Sequence, residues 1–577
     1  MIRRLRTDVL ILGAGGAGLF AALHAHRANP SLHITIAVKG LLGKCGCTRM
    51  VQGGYNVALA PADSVERHFM DTIEGGKWLP DQDLAWTLVT GAIERIHELE
   101  NELGCFFDRN SDGTIHQKAF AGQTFDRTVH KGDLTGIEIM NRLSEQVWAR
   151  GIHRLEEHRA LDFVAAGDGA LAGVLLVDVR SGEYVFVQAK AVLLATGGGP
   201  TMYKFHTPSG DKSCDGLAMA LRFGLPLRDM EMVQFHPTGL LAGPYTRMTG
   251  TVLEEGLRGA GGYLEDGDGA RFMDRYDARG ERATRDIVSR AIYAEMRAGR
   301  TTPNGGVYLS MGHLGPENVR RQFKGMVERC ADCGFDLAAG KVEVVPTAHY
   351  MMGGVEFAPD CTTERAGLFV AGEDSGGVHG ANRLGGNGVA NSTVFGGIAG
   401  DTIAEWTLRK GVWREPDAAA LETSMARAET PFGATGSDVT ALEDVRERLY
   451  DVMWNDAGIE RSAATLSRAT SALTELAEQL SATRIATGER RFNLTWHDWL
   501  NLANLIEVSK VIVRAAETRK DSRGAHYRAD FPDAGDLATS AFVRIRQRGR
   551  KLDVEMVPVA FTRVAPGKSL LGVEPGR

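Results

Sequence analysis

The chain has 577 residues, of which 24% are charged and 43% hydrophobic, a balance typical of a large globular protein with about two to four domains. Its net charge of −7 gives no support for binding nucleic acid. The seven cysteines are scattered and odd in number, which argues against a disulfide framework and favours a reducing, cytoplasmic compartment. No apolar run reaches the roughly 18 residues that a membrane span requires.

The first forty residues predict a strand, a glycine-rich turn, a helix and a second strand. Residues 8–12, apolar after Asp8, form the first strand. Gly13, Gly15 and Gly18 form the turn, residues 19–27 begin the helix, and residues 33–38 form the next strand. In this context a GxGxxG turn binds a dinucleotide, because glycines allow close approach and the helix start attracts pyrophosphate. Lys39 stands near the place where an acidic residue would bind the ribose of NAD, so the pattern argues against ordinary NAD binding.

Two later segments complete a flavoprotein-like layout. Residues 191–199 predict a buried parallel strand that ends in glycines, and residues 367–373 predict a third strand that ends in an acid. Residues of about 236 to 345 indicate an inserted mixed domain, and the chain becomes strand-like after Pro532. From about 410 to 530 the pattern is helical, with apolar stripes that we assign to a core: Val445, Leu449, Val452, Leu466, Leu473, Leu476 and Leu480.

Side chains suited to chemistry occur in loops punctuated by Gly and Pro, where functional residues are common. Taken singly, each His is explained as a structural residue and each Arg as a surface residue. The CxxC at Cys330–Cys333 is incidental because it lacks a second pair at zinc spacing. The candidates are His236 in QFHPTG, Glu255 and Arg258 in EEGLRG, Arg285 in TRDIVSR, His349 in PTAHYMMGG, and Arg383 in HGANRLGGNG. Arg383 precedes a predicted helix on a glycine-rich loop, which suits a phosphate-bearing cofactor beside a small acid.

These motifs, in this order, resemble the flavoprotein subunit of succinate dehydrogenase and fumarate reductase, a family that includes L-aspartate oxidase. CTRMVQGG at 47–54 and SRGAH at 522–526 add to the resemblance, which runs from about residue 7 to 530. It implies an α/β fold with a Rossmann-like FAD-binding domain (residues 1–235 and 346–408) and an inserted α+β capping domain (residues 236–345). A helical domain (residues 409–530) and a small β-rich C-terminal domain (residues 531–577) would follow.

The resemblance also implies roles for individual residues. His236, His349 and Arg383 would grip the two carboxylates of a four-carbon acid, and Arg285 would donate a proton supplied through Arg258 and Glu255. FAD would be held by the following residues: Gly13, Ala14, Gly15, Gly16, Ala17, Gly18, Lys39, Cys47, Thr48, Gln52, Gly53, Gly54, Thr196, Gly197, Asp215, Glu373, Gly388 and Val389. No metal site is expected.

The chain departs from the family pattern at two positions. Cys47 stands where the family usually has the histidine bonded to the flavin, and since a free thiol is mostly protonated at neutral pH, we expect non-covalent FAD. Glu254 stands where a Thr usually helps to bind a substrate carboxylate. Glu254 could be protonated, point away, or receive an amine or hydroxyl, and the sequence leaves these three alternatives open.

The sequence therefore predicts the catalytic flavoprotein subunit of a succinate dehydrogenase or fumarate reductase-like system. Its substrate would be a small dicarboxylate, and its partner would be an iron-sulfur electron-transfer subunit. Such a chain is cytoplasmic and would lie at the inner membrane through that partner. Two alternatives stay open: a stand-alone L-aspartate oxidase-like flavoenzyme, and a flavin-binding electron-transfer protein without dicarboxylate chemistry. The second has no use for the set His236, Arg285, His349 and Arg383, since flavin binding requires none of them.

Overall fold

The computed structural model describes residues 2–243, 246, 248–432, 439–485, 487–549 and 551–571. The strands within these ranges are β1 (Arg3–Leu12), β2 (Ile34–Ala37), β3 (Tyr55–Asn56), β4 (Gln117–Lys118), β5 (Thr128–Val129), β6 (His153–Leu155), β7 (His158–Ala165), β8 (Leu171–Asp178), β9 (Tyr184–Leu194), β10 (Leu227–Arg228), β11 (Val233–Leu240), β12 (Tyr263–Glu265), β13 (Val307–Ser310), β14 (Lys341–Met351), β15 (Gly354–Val355), β16 (Leu368–Val370), β17 (Ala541–Arg548) and β18 (Lys551–Pro558).

The helices within the same ranges are α1 (Gly16–Ala28), α2 (Val65–Gly75), α3 (Gln82–Asn101), α4 (Thr135–Ala149), α5 (Asp215–Arg222), α6 (Gly256–Gly259), α7 (Arg285–Arg297), α8 (Pro316–Gln322), α9 (Lys324–Ala331), α10 (Asn387–Lys410), α11 (Ala418–Glu429), α12 (Val439–Asn455), α13 (Ala463–Ala482) and α14 (Leu494–Thr518). Short 3₁₀ turns occur at Cys47–Met50 and Gly372–Asp374. No helix of the described part of the chain is long and apolar enough to cross a membrane.

The largest sheet of the described residues has seven strands. Its strand order is β6-β2-β1-β9-β8-β7, and β16 also pairs with β9. Strand β1 is parallel to both β2 and β9, and its alternate residues enter two different cores. Val9 and Ile11 pack in the core that includes residues of α1 and α10, whereas Leu10 and Leu12 face the core that includes the C-terminal helices. A strand buried on both faces explains the unbroken apolar run in the sequence.

The observed strand limits differ from the predicted ones for identifiable reasons. Strand β1 begins at Arg3 rather than residue 8, because its basic N-terminal residues pair with β9 from Arg3 opposite Val185 onward. Strand β9 begins at Tyr184 and ends at Leu194, so the glycines of 197–199 form a loop after it. Strand β16 covers three residues, because the chain turns at Gly372, whose φ is +77°.

The inserted region forms a layer of its own. Its sheet has the order β11-β14-β13-β12, and helices α6 to α9 accompany it in the chain. A separate hydrophobic core includes Leu257, Val288, Leu309 and Val344. The sheet starts at Val233 and ends at Met351, so it extends beyond the predicted 236–345 on both sides; residues 244, 245 and 247 of that range lie outside the described residues. We call residues 233–351 the cap below.

The helical prediction for 409–530 corresponds to α11 through α14, and the predicted apolar stripes are confirmed as core because each member is buried. The C-terminal strands β17 and β18 form a hairpin that pairs with β10, in a sheet of order β15-β10-β17-β18. The segment predicted as a C-terminal domain therefore shares its sheet with strands from the middle of the chain. Residues 433–438, 486, 550 and 572–577 of these two predicted domains lie outside the described residues.

Candidate active site

A large cavity lies between the main sheet and the cap. Its walls include the residues directly after β1, β2, β9 and β16 together with residues of the cap. In an open α/β sheet, ligands bind at this carboxyl edge of the strands. The cavity wall runs from the glycine turn after β1 to the cap residues His236, Glu255 and Arg285, so one cavity joins a candidate dinucleotide site to a second group of polar side chains.

The glycine turn after β1 fits the pyrophosphate of a dinucleotide. Gly15 and Gly16 line the cavity at the start of α1, which has no acidic residue in its first turn and no side-chain cap. The Gly16 N–H donates to the Thr48 hydroxyl at 3.1 Å, and the positive end of the helix favours an anion at this place. Gly13 has a φ of +104°, and a Cβ there would lie 2.1 Å from the carbonyl oxygen of Ala195, so the turn requires glycine at this position.

Gly18 was also predicted to bind the cofactor. It lies outside the cavity wall, and a Cβ on it would lie 2.1 Å from the carbonyl oxygen of Gly13. Glycine is required at position 18 because helix α1 packs closely against the turn that precedes it. The other predicted cofactor residues all line the cavity: Gly13, Ala14, Gly15, Gly16, Ala17, Lys39, Cys47, Thr48, Gln52, Gly53, Gly54, Thr196, Gly197, Asp215, Glu373, Gly388 and Val389.

Two carboxylates after β16 hold the glycine loop that follows β9. Asp374 accepts hydrogen bonds from the backbone N–H of Gly197 at 2.9 Å and from the hydroxyl of Thr196 at 3.0 Å. Glu373 accepts from the backbone N–H of Met351 at 3.0 Å, which joins the end of cap strand β14 to the main sheet. Burial raises the pKa of both carboxyls, that of Asp374 to about 6.

Lys39 and Asp215 form a partly buried ion pair, with 2.9 Å between the Lys39 Nζ and Asp215 Oδ2. Arg159 adds a second cation at 2.7 Å from the other carboxylate oxygen. Burial alone would raise the pKa of Asp215, but Arg159 and Lys39 outweigh it and lower the pKa. Burial lowers the pKa of Lys39 to about 8. An NAD-binding fold presents a free carboxylate after its second strand. Here that position holds Lys39, and its ammonium group neutralises Asp215.

Cys47 lies on the 3₁₀ turn Cys47–Met50 and lines the cavity. Burial, reinforced by the Glu373 carboxylate, raises the pKa of its thiol to about 12. Because the thiolate is the reactive form of cysteine, a thiol held protonated in this way is a poor nucleophile.

Two histidines face each other where the cap meets the main sheet. The rings of His236 on β11 and His349 on β14 lie 5.5 Å apart between centroids. The Nδ1 of His236 accepts from the backbone N–H of Thr238 at 3.3 Å, and the Nδ1 of His349 lies 2.8 Å from the hydroxyl of Thr207. Burial, reinforced by Arg285, lowers the pKa of both rings well below the ordinary value. Because the Nδ1 of the neutral His236 ring accepts, its proton is on Nε2, which is left to donate; the tautomer of His349 depends on whether the Thr207 hydroxyl donates or accepts.

Arg383 is a buried cation without a close acidic partner. Its side chain is 6% exposed, its Nη1 donates only a long 3.4 Å hydrogen bond to the Leu384 carbonyl, and its Nε has no hydrogen-bond partner. Among the described residues no carboxylate lies within ion-pair distance of it, and burial lowers its pKa to about 10. The guanidinium stacks 4.5 Å from the centre of the Tyr350 ring. A buried, unpaired guanidinium on a cavity wall fits a carboxylate ligand.

Arg285 and Glu255 make a tight buried pair beside this cation. The Nε and Nη2 of Arg285 donate to one oxygen of Glu255 at 2.9 and 2.5 Å. Arg258 approaches the other oxygen at 3.6 Å and lies behind the pair, outside the cavity wall. Burial would raise the pKa of Glu255, but Arg285 and Arg258 outweigh it and lower the pKa. Three charged groups in a row, with one end at the cavity, form a path along which a proton can be relayed.

Glu254 lines the cavity, next in the chain to Glu255. Its carboxylate is buried and lies 3.5 Å from the Nζ of Lys118 on β4. Burial raises the pKa of Glu254 while Lys118 opposes the rise. The carboxylate thus meets Lys118, which is not a residue of the cavity wall, and the three alternatives left by the sequence stay open.

Several residues of the site were not singled out from the sequence. Gln234, in the same motif as His236, accepts from the Nη1 of Arg285 at 3.0 Å and donates to the carbonyl of Arg383 at 2.8 Å. Gln234 lies two residues before His236 on strand β11, so both side chains lie on the same face of the strand. This spacing could have indicated Gln234 from the sequence. Thr207 carried no local signal, because only the folded chain brings it to the cavity. The same holds for Lys118, which the fold brings to Glu254. Within the described ranges, no group of three or more His, Cys, Asp and Glu is arranged to hold a metal ion.

Comparison with known proteins gives matches over almost the whole chain. A model described as "FAD binding domain" matches residues 8–389, and one described as "Fumarate reductase flavoprotein C-term" matches residues 446–570. The chain is 41% identical over 532 residues to a fumarate reductase (CoM/CoB) subunit of Methanothermobacter marburgensis, covering 91% of this chain and 94% of that protein. It is 35% identical over 601 residues to the fumarate reductase flavoprotein subunit of Escherichia coli, covering 99% and 97%.

Solved structures agree with these matches. A quinol fumarate reductase structure from E. coli superposes with a TM-score of 0.91 at 32% identity, covering 98% of this chain and 99% of that one. The Sdh1 structure from Mycobacterium smegmatis in complex with UQ1 superposes with a TM-score of 0.87 at 34% identity, covering 97% and 95%.

Proposed function

The chain belongs to the succinate dehydrogenase and fumarate reductase flavoprotein family, and from that premise we propose that it interconverts a small saturated dicarboxylate and its alkene. It is an FAD-dependent oxidoreductase that acts on CH–CH bonds. The proposal concerns the substrate class, the residue roles and the partner.

Arg383 is the observation that carries the dicarboxylate proposal. A fully buried cation without a carboxylate partner is costly, and an anionic ligand on the cavity side offsets that cost. The neutral rings of His236 and His349 provide donors on the opposite strands, so two carboxylates can be bound at once. Donors that grip both carboxylates also stabilise negative charge that develops on the carbon skeleton during reduction.

Arg285 is assigned as the proton donor to the substrate carbon. Its guanidinium lies at the cavity wall, and its only close acidic partner among the described residues is Glu255. Arg normally keeps its charge; after it gives a proton to the substrate carbon, Glu255 would take up a proton through Arg258 and pass it on to the neutral Arg285. Gln234 is a positioning residue, because it binds both Arg285 and the backbone of Arg383.

FAD, when bound, supplies the hydride chemistry at its isoalloxazine ring. The turn at Gly13–Gly16 would hold its pyrophosphate, and the loop after β9 together with Gly388 and Val389 would line the rest of its site. The cap covers the substrate end of the cavity and limits its access to water, which strengthens the electrostatic contacts there.

An iron-sulfur electron-transfer subunit is proposed as the partner. The relatives from M. marburgensis and E. coli are both named as subunits of fumarate reductases. A cytoplasmic position at the inner membrane, reached through that partner, remains part of the same proposal.

The test is the reoxidation of the chemically reduced, FAD-loaded protein by fumarate, with crotonate as the matched monocarboxylate. We expect reoxidation by fumarate and little or none by crotonate, because crotonate leaves one carboxylate clamp empty. Equal rates with both acids would contradict the two-clamp assignment. Reduction of the oxidised flavin by L-aspartate, followed by rapid reoxidation by dioxygen, would instead favour the oxidase alternative.

A further inference from the structure

The backbone of Arg383 is held on both sides, whereas its side chain is not. Its N–H donates to the Met352 sulfur at 3.1 Å, and its carbonyl accepts from the Gln234 side chain at 2.8 Å. These contacts fix the point from which the side chain starts. They leave the direction of the guanidinium open, since Nη1 makes only the long 3.4 Å hydrogen bond to the Leu384 carbonyl and Nε has no hydrogen-bond partner.

The ring of Tyr350 lies against this guanidinium. The Arg383 Cζ is 4.5 Å from the ring centre, within the range of a cation–π contact, and Tyr350 is half-buried on the same cavity wall. Gly388 leaves room for the contact, because a Cβ on it would lie 2.9 Å from the Arg383 Nη1 and 3.4 Å from the Tyr350 Cε2. A side chain at position 388 would therefore displace the guanidinium.

Tyr350 is itself held in place by its neighbours. Strand pairing puts it directly opposite Gln234 on β11, so the two cap residues that contact Arg383 form one cross-strand pair. The Asn391 side chain donates to the Tyr350 hydroxyl at 3.3 Å, and the His379 ring packs edge-on with 5.5 Å between centroids. The ring is thus fixed at its hydroxyl and at its edge, and its face supports the cation.

An aromatic face suits this position better than an acid would. Burial and the like charge of Arg285 lower the pKa of Arg383, so the cation needs a stabilising partner. A carboxylate partner would occupy the fork of donors that a substrate carboxylate needs. The negative face of a ring attracts the cation from one side and leaves the N–H groups in the guanidinium plane available to the ligand.

We propose that Tyr350 is a positioning residue, whose ring face holds the Arg383 guanidinium with its donors turned toward a substrate carboxylate. This inference rests on the proposed function, which makes Arg383 a carboxylate clamp. A cation–π contact shielded from water corresponds to roughly a 30-fold change in binding.

The experiment measures the dissociation constant of succinate for the FAD-loaded protein from the change in the flavin absorption spectrum. Tyr350→Phe keeps the ring and should stay within about threefold of the wild type, whereas Tyr350→Leu removes the ring and should weaken succinate about 30-fold. Tyr308→Leu is the matched control and should leave the constant unchanged. Tyr308 is a half-buried cap tyrosine beside Lys341, and it lies outside the cavity wall.

Two further measurements separate positioning from a general loss of structure. In the Arg383→Ala background, Tyr350→Leu should add little, because a ring that acts through Arg383 has no cation left to hold. A phenylalanine with three ring fluorines at position 350 has nearly the shape of phenylalanine but a weaker negative face, so it should bind succinate more weakly than Tyr350→Phe. The fluorinated pair decides the matter even if Tyr350→Leu does not fold. Flavin content is measured for each variant, since Tyr350 lines the cofactor cavity.

The outcomes separate this inference from the function beneath it. An unchanged constant in Tyr350→Leu, fully additive losses from Tyr350→Leu and Arg383→Ala, or equal constants for phenylalanine and its fluorinated analogue would each overturn the inference while the dicarboxylate function stands. If Arg383→Ala binds succinate as the wild type does, the clamp and this inference fail together. If the wild type does not bind succinate, the proposed function fails as well.

Discussion

Replacing Arg285 by Lys tests the proton donor while keeping the charge. The guanidinium makes three hydrogen bonds, two to Glu255 at 2.9 and 2.5 Å and one to Gln234 at 3.0 Å. A single ammonium on a flexible stem cannot contact Glu255, Gln234 and a substrate carbon together. Loss of a positioned general acid costs about 10²–10⁴-fold, or about 2.7–5.4 kcal/mol of activation free energy.

We therefore expect kcat for fumarate reduction to fall by about 10²–10⁴-fold in Arg285→Lys, with KM changed far less and FAD content equal to that of the wild type. The assay is steady-state oxidation of a reduced dye by fumarate, with flavin content measured by absorbance. Arg297→Lys is the control, because Arg297 is an exposed residue at the end of the same helix α7. Near-normal kcat in Arg285→Lys, or a loss confined to KM, would refute the assigned role.

Three further predictions concern the carboxylate clamp, the flavin linkage and acid stability. Arg383→Ala should raise the dissociation constant of succinate at least about 30-fold, because a charged hydrogen-bonding partner is lost; an unchanged constant in a spectral titration would argue against the clamp. Acid precipitation should leave the yellow flavin in the supernatant, because the Cys47 thiol is held protonated; colour that stays in the pellet and is lost in Cys47→Ala would contradict this. His68 is buried, hydrogen-bonded to Asn387 and has its pKa lowered from 6.5 to about 3, chiefly by burial. Below pH 6.5 the unfolded state binds a proton that the native state does not, so stability falls with decreasing pH, by about 2 kcal/mol at pH 5 from this residue. Melting temperatures at pH 7 and pH 5 should therefore differ less in His68→Gln, and an equal difference would show that His68 does not contribute.

Much of the cofactor site followed from local sequence. The turn after β1 requires glycine at Gly13 for steric reasons that act within a few residues and across one neighbouring strand, so the pattern alone indicates a dinucleotide fold. Helical spacing was equally informative, since Leu466, Leu473 and Leu480 recur at intervals that place them on one buried face of α13. Both features depend on periodicity and short-range geometry.

The substrate end of the site was accessible from the sequence only as separate motifs. His236, Arg285, His349 and Arg383 were recognised by resemblance, and the order of the motifs says nothing about distance. The antiparallel pairing of β11 with β14 is what brings the two histidine rings to 5.5 Å. Likewise, the absence of a carboxylate near Arg383 among the described residues depends on every surrounding segment, and no single segment encodes it.

Glu254 shows what the sequence determines and what only the tertiary structure determines. The sequence by itself determined that a carboxylate stands in place of a hydroxyl, and left open whether it faces the site. Only the tertiary structure decided which charge this carboxylate meets, because Lys118 lies more than a hundred residues earlier in the chain and reaches Glu254 through the folding of the cap against the strands β4 and β5. The charge of a buried group depends on its spatial neighbours, and folding selects those neighbours independently of their distance along the chain.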